Sequence, residues 1–197
     1  MSQSPIKLAV ITGSVREERF GPTVANWFMR QAESHGEVRA ELIDLVDHPL
    51  PLTQPAPGRP AGPQVQAVRE RLAAKLADAE AFVVVTPEYN HTIAPSLTNA
   101  ISWFFDEWAA KPVGLVSYGG MGGGLRAAEH LRQVFAELHA MTVRGMVSFH
   151  NAWDQFASDG EPVSPRGSEV AAKVLLDQLV WWANPLREAR EKVPYRR

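Results

Sequence analysis

Three short apolar runs constrain this chain more than any other feature. They are Ile6 to Thr12 (IKLAVIT), Ala81 to Thr86 (AFVVVT) and Pro112 to Ser117 (PVGLVS), and each breaks abruptly into a loop rich in Gly, Pro or aromatic residues. A strand that is apolar at nearly every position has no face to offer water, so it must be covered on both sides. Helix-spaced apolar residues lie between these runs. Alternating strands and helices imply right-handed crossovers, a parallel sheet and helices on both of its faces.

The remaining segments fill in the order. Phe20 to Ala32 carries Val24, Trp27 and Phe28 at helical spacing, and Val38 to Leu45 alternates as an exposed edge strand would. Val65, Val68, Leu72 and Leu76 mark a helix running to about Asp78. Pro95 opens another, with Leu97, Ile101, Phe104, Phe105 and Trp108 as its stripe. Leu125, Ala128, Leu131, Phe135 and Leu138 form a further helical face, and Met141 to Phe149 reads as a weaker strand. Residues 46–63 hold six prolines and read as a long surface loop. Residues 150–167 are irregular, and a last helix runs from Ser168 to about Ala189. Its apolar residues, Val170, Val174, Leu175, Leu176, Leu179, Val180, Trp181 and Trp182, cover more than one stripe. That breadth fits either a second buried surface, as in a dimer, or a helix sunk deep in its own domain. Five strands in this length predict an α/β three-layer sandwich of flavodoxin-like order, 2-1-3-4-5, as one domain over residues 1–197.

Composition narrows the chemistry. The net charge is −2, with Lys and Arg scattered among the acids, which argues against a nucleic-acid surface or a polybasic membrane anchor. There are no cysteines, so disulfides, thiolate metal sites, thiol nucleophiles and CxxC redox pairs are excluded. Any redox chemistry must reside on a bound cofactor, and no metal ligands are assigned. Met1 to Pro5 lacks a signal-peptide layout and no apolar run approaches the ~20 residues of a membrane span, so a cytoplasmic protein is expected.

In an open parallel sheet, ligands bind beyond the carboxyl ends of the strands. Gly13 to Thr23 lies there, before the first helix, whose N-terminal N–H groups suit a phosphate dianion. Ser14 and Thr23 add hydroxyls and Arg16 a two-pronged cation, whereas Glu17 and Glu18 must turn outward. A plain strand–helix turn is the alternative. Neither GxGxxG nor GxxxxGK[ST] is present, so dinucleotide and nucleoside-triphosphate loops lose their signatures. Thr86 to Thr92 (TPEYNHT) offers Tyr89 to a flat ring, or else packs it in the core. His91 reads as structural or exposed. Ser117 to Gly124 contains five glycines, which permit close backbone approach to a ligand or simply a flexible turn.

Gly13-Ser14-x-Arg16, Pro87-Glu88-Tyr89-Asn90 and Ser117-Tyr118-Gly119-Gly120 together resemble the NAD(P)H-dependent FMN reductase family, which includes flavodoxin-like quinone, azo-dye and chromate reductases. The resemblance spans about Lys7 to Leu186. It implies that Ser14, Arg16 and Arg19 to Thr23 (with Phe20 and Gly21) hold the FMN phosphate. It implies that Pro87, Glu88, Tyr89 and Asn90 line the isoalloxazine ring, while Ser117, Tyr118, Gly119 and Gly120 approach its other edge. It also implies NADPH or NADH as donor, a small-molecule acceptor, and a homodimer, in some members paired into a tetramer, with the flavin near the subunit boundary. Arg19-Phe20-Gly21 departs from the Asn or Ser of many relatives, and residues 150–167, with Trp153 and Phe156, have no clear counterpart; they are expected either to shape the substrate entrance or simply to cap the domain. The cofactor carries the hydride chemistry, so no catalytic side chain is assigned, and Glu88 is expected to support the loop or the dimer. Two other functions share the fold: a flavodoxin-type electron carrier, and a non-catalytic phosphometabolite-binding or interaction protein.

Overall fold

A computed structural model describes residues 4–56 and 58–196; Pro57, one of the six loop prolines, lies outside the described residues. Five parallel strands, β1 (Ile6–Thr12), β2 (Val38–Asp44), β3 (Ala81–Tyr89), β5 (Pro112–Tyr118) and β6 (Met141–Phe149), lie in the order β2-β1-β3-β5-β6. This is the expected flavodoxin-like order. The sheet differs from expectation in a sixth strand, β4 (Thr92–Ile93), which folds back antiparallel on β3.

The period of two along each strand divides the core. Ile6, Leu8 and Val10 of β1 face one side, with Val83, Val85 and Val116, under α1 (Gly21–His35) and α6 (Pro165–Lys192). Ala9 and Ile11 face the other, with Phe82, Val84 and Leu115, under α2 (Pro63–Asp78), α3 (Pro95–Ser102) and α4 (Leu125–Glu137). Trp27 and Phe28 of α1 are fully buried, each stabilising the fold by roughly 1.5–3 kcal/mol on an area basis. Pro22 starts α1 where a missing N–H costs nothing, and Gly36 ends it at φ 79°.

The structure differs from expectation in three segments. The helix from Pro95 ends at Ser102, so Phe105 falls outside it and is exposed rather than part of the stripe. Residues 150–167 contain a short helix, α5 (Ala152–Gln155), and a bridge between Phe156 and Pro162. The last helix begins at Pro165, continues through Pro185 to Lys192, and leaves Val170, Val174 and Trp181 exposed beside its buried stripe of Ala172, Leu175, Leu176, Leu179 and Ala183.

Candidate functional site

The strand ends place the three loops side by side. β1 lies between β2 and β3, and β3 between β1 and β5, so the loop after β1 has the ends of β2 and β3 for neighbours. Ser14 is buried, and its Oγ lies 3.1 Å from Tyr89 Oη. The Tyr118 hydroxyl lies on the Gly21 side of the same loop, and burial pushes the Tyr118 phenol above its ordinary range. The Ser14 and Tyr89 hydroxyls therefore meet beside the N-terminus of α1, with the Tyr118 hydroxyl against Gly21. Glycine is required at Gly21 for this arrangement, because a β-carbon there would stand 2.8 Å from Tyr118 Oη.

The loop itself is open to an anion. Among the described residues, no backbone N–H from Ser14 to Phe20 donates to a protein acceptor. Thr12 Oγ1, buried at the base of the loop, also has no partner. Arg16 is exposed, with its guanidinium carbon 5.7 Å from the centre of the Tyr89 ring, and it joins no ion pair among the described residues. Glu17 and Glu18 are exposed, as an anion site needs. Thr23 lies in the first turn of α1, with its methyl toward Gly160.

Arg19 is placed differently from Arg16. Both of its terminal nitrogens grip Asp44 at the end of β2, at 2.6 and 2.7 Å, and Nη1 also donates to Ser14 O at 2.6 Å. The Asp44 contact raises the Arg19 pKa further. The guanidinium thus fastens the loop to β2. Phe20 stacks edge-on to Phe156 at 5.5 Å and lies 6.2 Å from the Tyr118 ring, which puts it in packing contact behind the loop.

The segment after Thr86 is a strand continuation and hairpin rather than a free loop. Pro87 stays in the parallel ladder opposite Tyr118, and Glu88 and Tyr89 pair with Ile93 and Thr92. Asn90 (φ 50°) and His91 (φ 65°) make the two-residue turn, both left-handed as a type I′ connection demands. Asn90 is exposed at its tip. Glu88 is nearly buried; one oxygen meets Arg126 Nη1 and the other accepts Arg126 N at 3.1 Å. Its carboxylate joins this hairpin to the start of α4.

The glycine-rich loop is held from within. Ser117 Oγ and Ser148 Oγ both donate to Gly123 O, at 2.7 and 2.8 Å. Gly119 N donates to Phe149 O, and Gly119 O and Gly120 O accept from Ala152 N and Asn151 N. Ser117 therefore shapes the loop, while the Gly119–Gly120 backbone is left half-buried at the surface of the site. Sequence reasoning missed an apolar groove of about 350 Å³ between Val15, Val46, Leu50, Leu52, Pro95 and Ala100. It exists because Asn99 Nδ2 and Trp103 Nε1 fasten the carbonyls of Leu50 and Pro51 across 49 and 52 residues of sequence, a distance no local motif signals.

Residues 6–154 match the family model described as NADPH-dependent FMN reductase. An NAD(P)H-dependent FMN reductase of Schizosaccharomyces pombe is 40% identical over 121 residues, 60% of each chain. A quinone reductase of Escherichia coli is 37% identical over 183 residues, covering 88% of this chain and 90% of that one. Among solved structures, the flavoenzyme NAD(P)H:(acceptor) oxidoreductase FerB of Paracoccus denitrificans superposes with a TM-score of 0.63 at 21% identity, covering 91% of this chain and 98% of its own.

Proposed function

The chain belongs to the NADPH-dependent FMN reductase family, and on that premise we propose that it holds FMN at these strand ends and passes electrons from NADPH or NADH to a small acceptor. The observation that carries this reading is the meeting of Ser14 and Tyr89, 3.1 Å apart, beside a loop whose N–H groups have no protein acceptor. That donor set fits the group. A phosphate needs several converging donors and a positive end, which the free amides, the hydroxyls, Arg16 and the α1 N-terminus offer together.

When bound, FMN supplies the two-electron redox chemistry that the side chains of this chain lack. The protein's tasks are to bind, orient and leave one side open. Ser14, Arg16, Gly21 and Thr23 surround the phosphate, with Arg19 and Phe20 holding the loop that presents them. Pro87, Glu88, Tyr89 and Asn90 form one wall, with Glu88 acting through Arg126. Ser117, Tyr118, Gly119 and Gly120 form the other; the missing side chains at Gly119 and Gly120 let the backbone approach a ring edge, with Gly120 N–H as the donor because Gly119 N is already bonded to Phe149 O. No side chain is assigned as acid or base.

The acceptor belongs to the quinones, free flavins, azo compounds or metal oxyanions. The chain works as one domain in a homodimer, and the exposed Val170, Val174 and Trp181 strip on α6 supports such a contact. No described helix is long and apolar enough to cross a membrane, and a cytoplasmic enzyme is the setting we propose.

The test is reconstitution. Purified protein should take up FMN, show flavin absorbance and consume NADPH or NADH with a quinone or ferricyanide. Flavin uptake without nicotinamide oxidation would make it a carrier, and failure to take up FMN would end the reading.

A further inference from the structure

Trp153 belongs to none of the three loops, yet the fold brings it to their edge. The segment His150 to Phe156 is pinned at two points: Ala152 and Phe156 are buried four residues apart, with Phe156 against Phe20, Trp27 and Phe149. That spacing turns Ala152 and Phe156 inward and leaves Trp153 outward, 60% exposed. Backbone bonds seat the segment on the glycine loop, from Asn151 N to Gly120 O at 2.8 Å and from Ala152 N to Gly119 O at 3.0 Å. The indole leans back over that loop. Its Cη2 and Cζ2 atoms lie 3.6 and 3.9 Å from the point where a β-carbon on Gly120 would stand. Met121, the residue after Gly120, is 86% exposed, and its carbonyl is held by His150 Nδ1 at 2.9 Å. An exposed aromatic ring thus lies against Gly120, and the next residue carries an exposed thioether.

We propose that Trp153 is a specificity-determining residue, whose indole stacks on planar aromatic acceptors such as quinones and so favours them over compact metal complexes. The proposal rests on the FMN reading above, since Gly119 and Gly120 are the backbone assigned to the flavin's edge. An indole face recognises a flat ring by offset stacking and apolar burial, whereas a compact, strongly hydrated anion such as ferricyanide offers no face to stack on. Met121 supplies the adaptable second contact, since a thioether can follow rings of different outline. His150 and the two backbone bonds fix the backbone that carries the ring, so less of the segment has to be ordered when an acceptor arrives.

The experiment uses the oxidised, FMN-loaded protein and menadione as probe, with calorimetric titration in the absence of nicotinamide. Trp153→Ala should weaken menadione binding about tenfold, the scale of a lost aromatic contact. Trp153→Phe should retain most of the affinity. In both variants FMN affinity and the KM for ferricyanide should stay within about twofold of wild type, which separates stacking from a general loosening of the loop. Unchanged menadione binding in Trp153→Ala overturns the assignment. A parallel fall in FMN affinity also overturns it, because the indole would then cover the flavin itself. If the wild-type protein takes up no FMN, the underlying reading fails first, and the proposal fails with it.

Discussion

Ser14 Oγ stands 3.1 Å from Tyr89 Oη, so the loop after β1 and the hairpin after β3 touch where the phosphate site is assigned. The contact fixes both hydroxyls before any ligand arrives. Ser14→Ala should therefore weaken FMN binding by about 1 kcal/mol, and Tyr89→Phe by somewhat less. The double variant should fall short of the sum, since each change removes part of the same contact. Flavin fluorescence titrations of the three variants measure this, and strict additivity would show that the hydroxyls do not act together.

The two arginines of the first loop should separate cleanly. Arg16 is exposed and outside any described ion pair, so Arg16→Ala should weaken FMN binding by about 1.5–3 kcal/mol through loss of a charge-assisted contact. The apo protein's melting temperature should not change. Arg19 is largely buried against Asp44, and Arg19→Ala leaves that carboxylate without its cation. Its main effect should be on the apo fold, costing about 1–3 kcal/mol in urea unfolding. A fall in apo stability for Arg16→Ala would reverse the two roles.

Much of the fold was legible because strand burial and helical period are local properties of sequence. The runs at Ile6, Ala81 and Pro112 became β1, β3 and β5, and Met141 to Phe149 became β6. The site was legible only as a set of loops. The Asn90–His91 turn lacks the Asn-Gly or Asp-Gly pair that announces a type I′ hairpin, and Pro87 argued for a strand end that the ladder ignores. The partners of Arg19 and Glu88, at Asp44 and Arg126, lie 25 and 38 residues away. Nothing near Arg19 says that it braces while Arg16 stays free; β2 had to be placed beside β1 first.

Gly124 tests the third loop. It sits at φ 78°, and a β-carbon there would lie 2.9 Å from both Tyr118 N and Tyr118 O. These are backbone atoms that cannot swing aside. Gly124→Ala should cost about 2–3 kcal/mol or more, from left-handed strain and the clash together. It should also reduce FMN affinity, because Tyr118 and Gly119 must shift. Thermal unfolding with and without FMN reads both effects, and a variant with wild-type stability would contradict this account of the loop.

Lys111 gives a pH signature far from the site. Its ammonium is buried, donating to Leu76 O at 2.8 Å and Ala77 O at 3.1 Å at the end of α2, and burial pushes its pKa down to about 8. The folded value lies below the unfolded 10.5, so the unfolded chain binds more protons between the two. Stability from this group therefore rises as pH rises from about 8 toward the unfolded value. Relative to Lys111→Met, the wild type should gain on the order of 1–2 kcal/mol between pH 7.5 and 9.5 in urea unfolding. The absence of a relative gain over that range would show that the ammonium is better solvated than its burial implies.

The most direct test of the central claim is an anaerobic titration of the FMN-loaded protein with NADPH and, separately, NADH, following the flavin absorbance band. About one equivalent of at least one nicotinamide should bleach the band, and adding a quinone should restore it. Protein that takes up FMN but keeps its band with both nicotinamides, or protein that takes up no FMN, would contradict it.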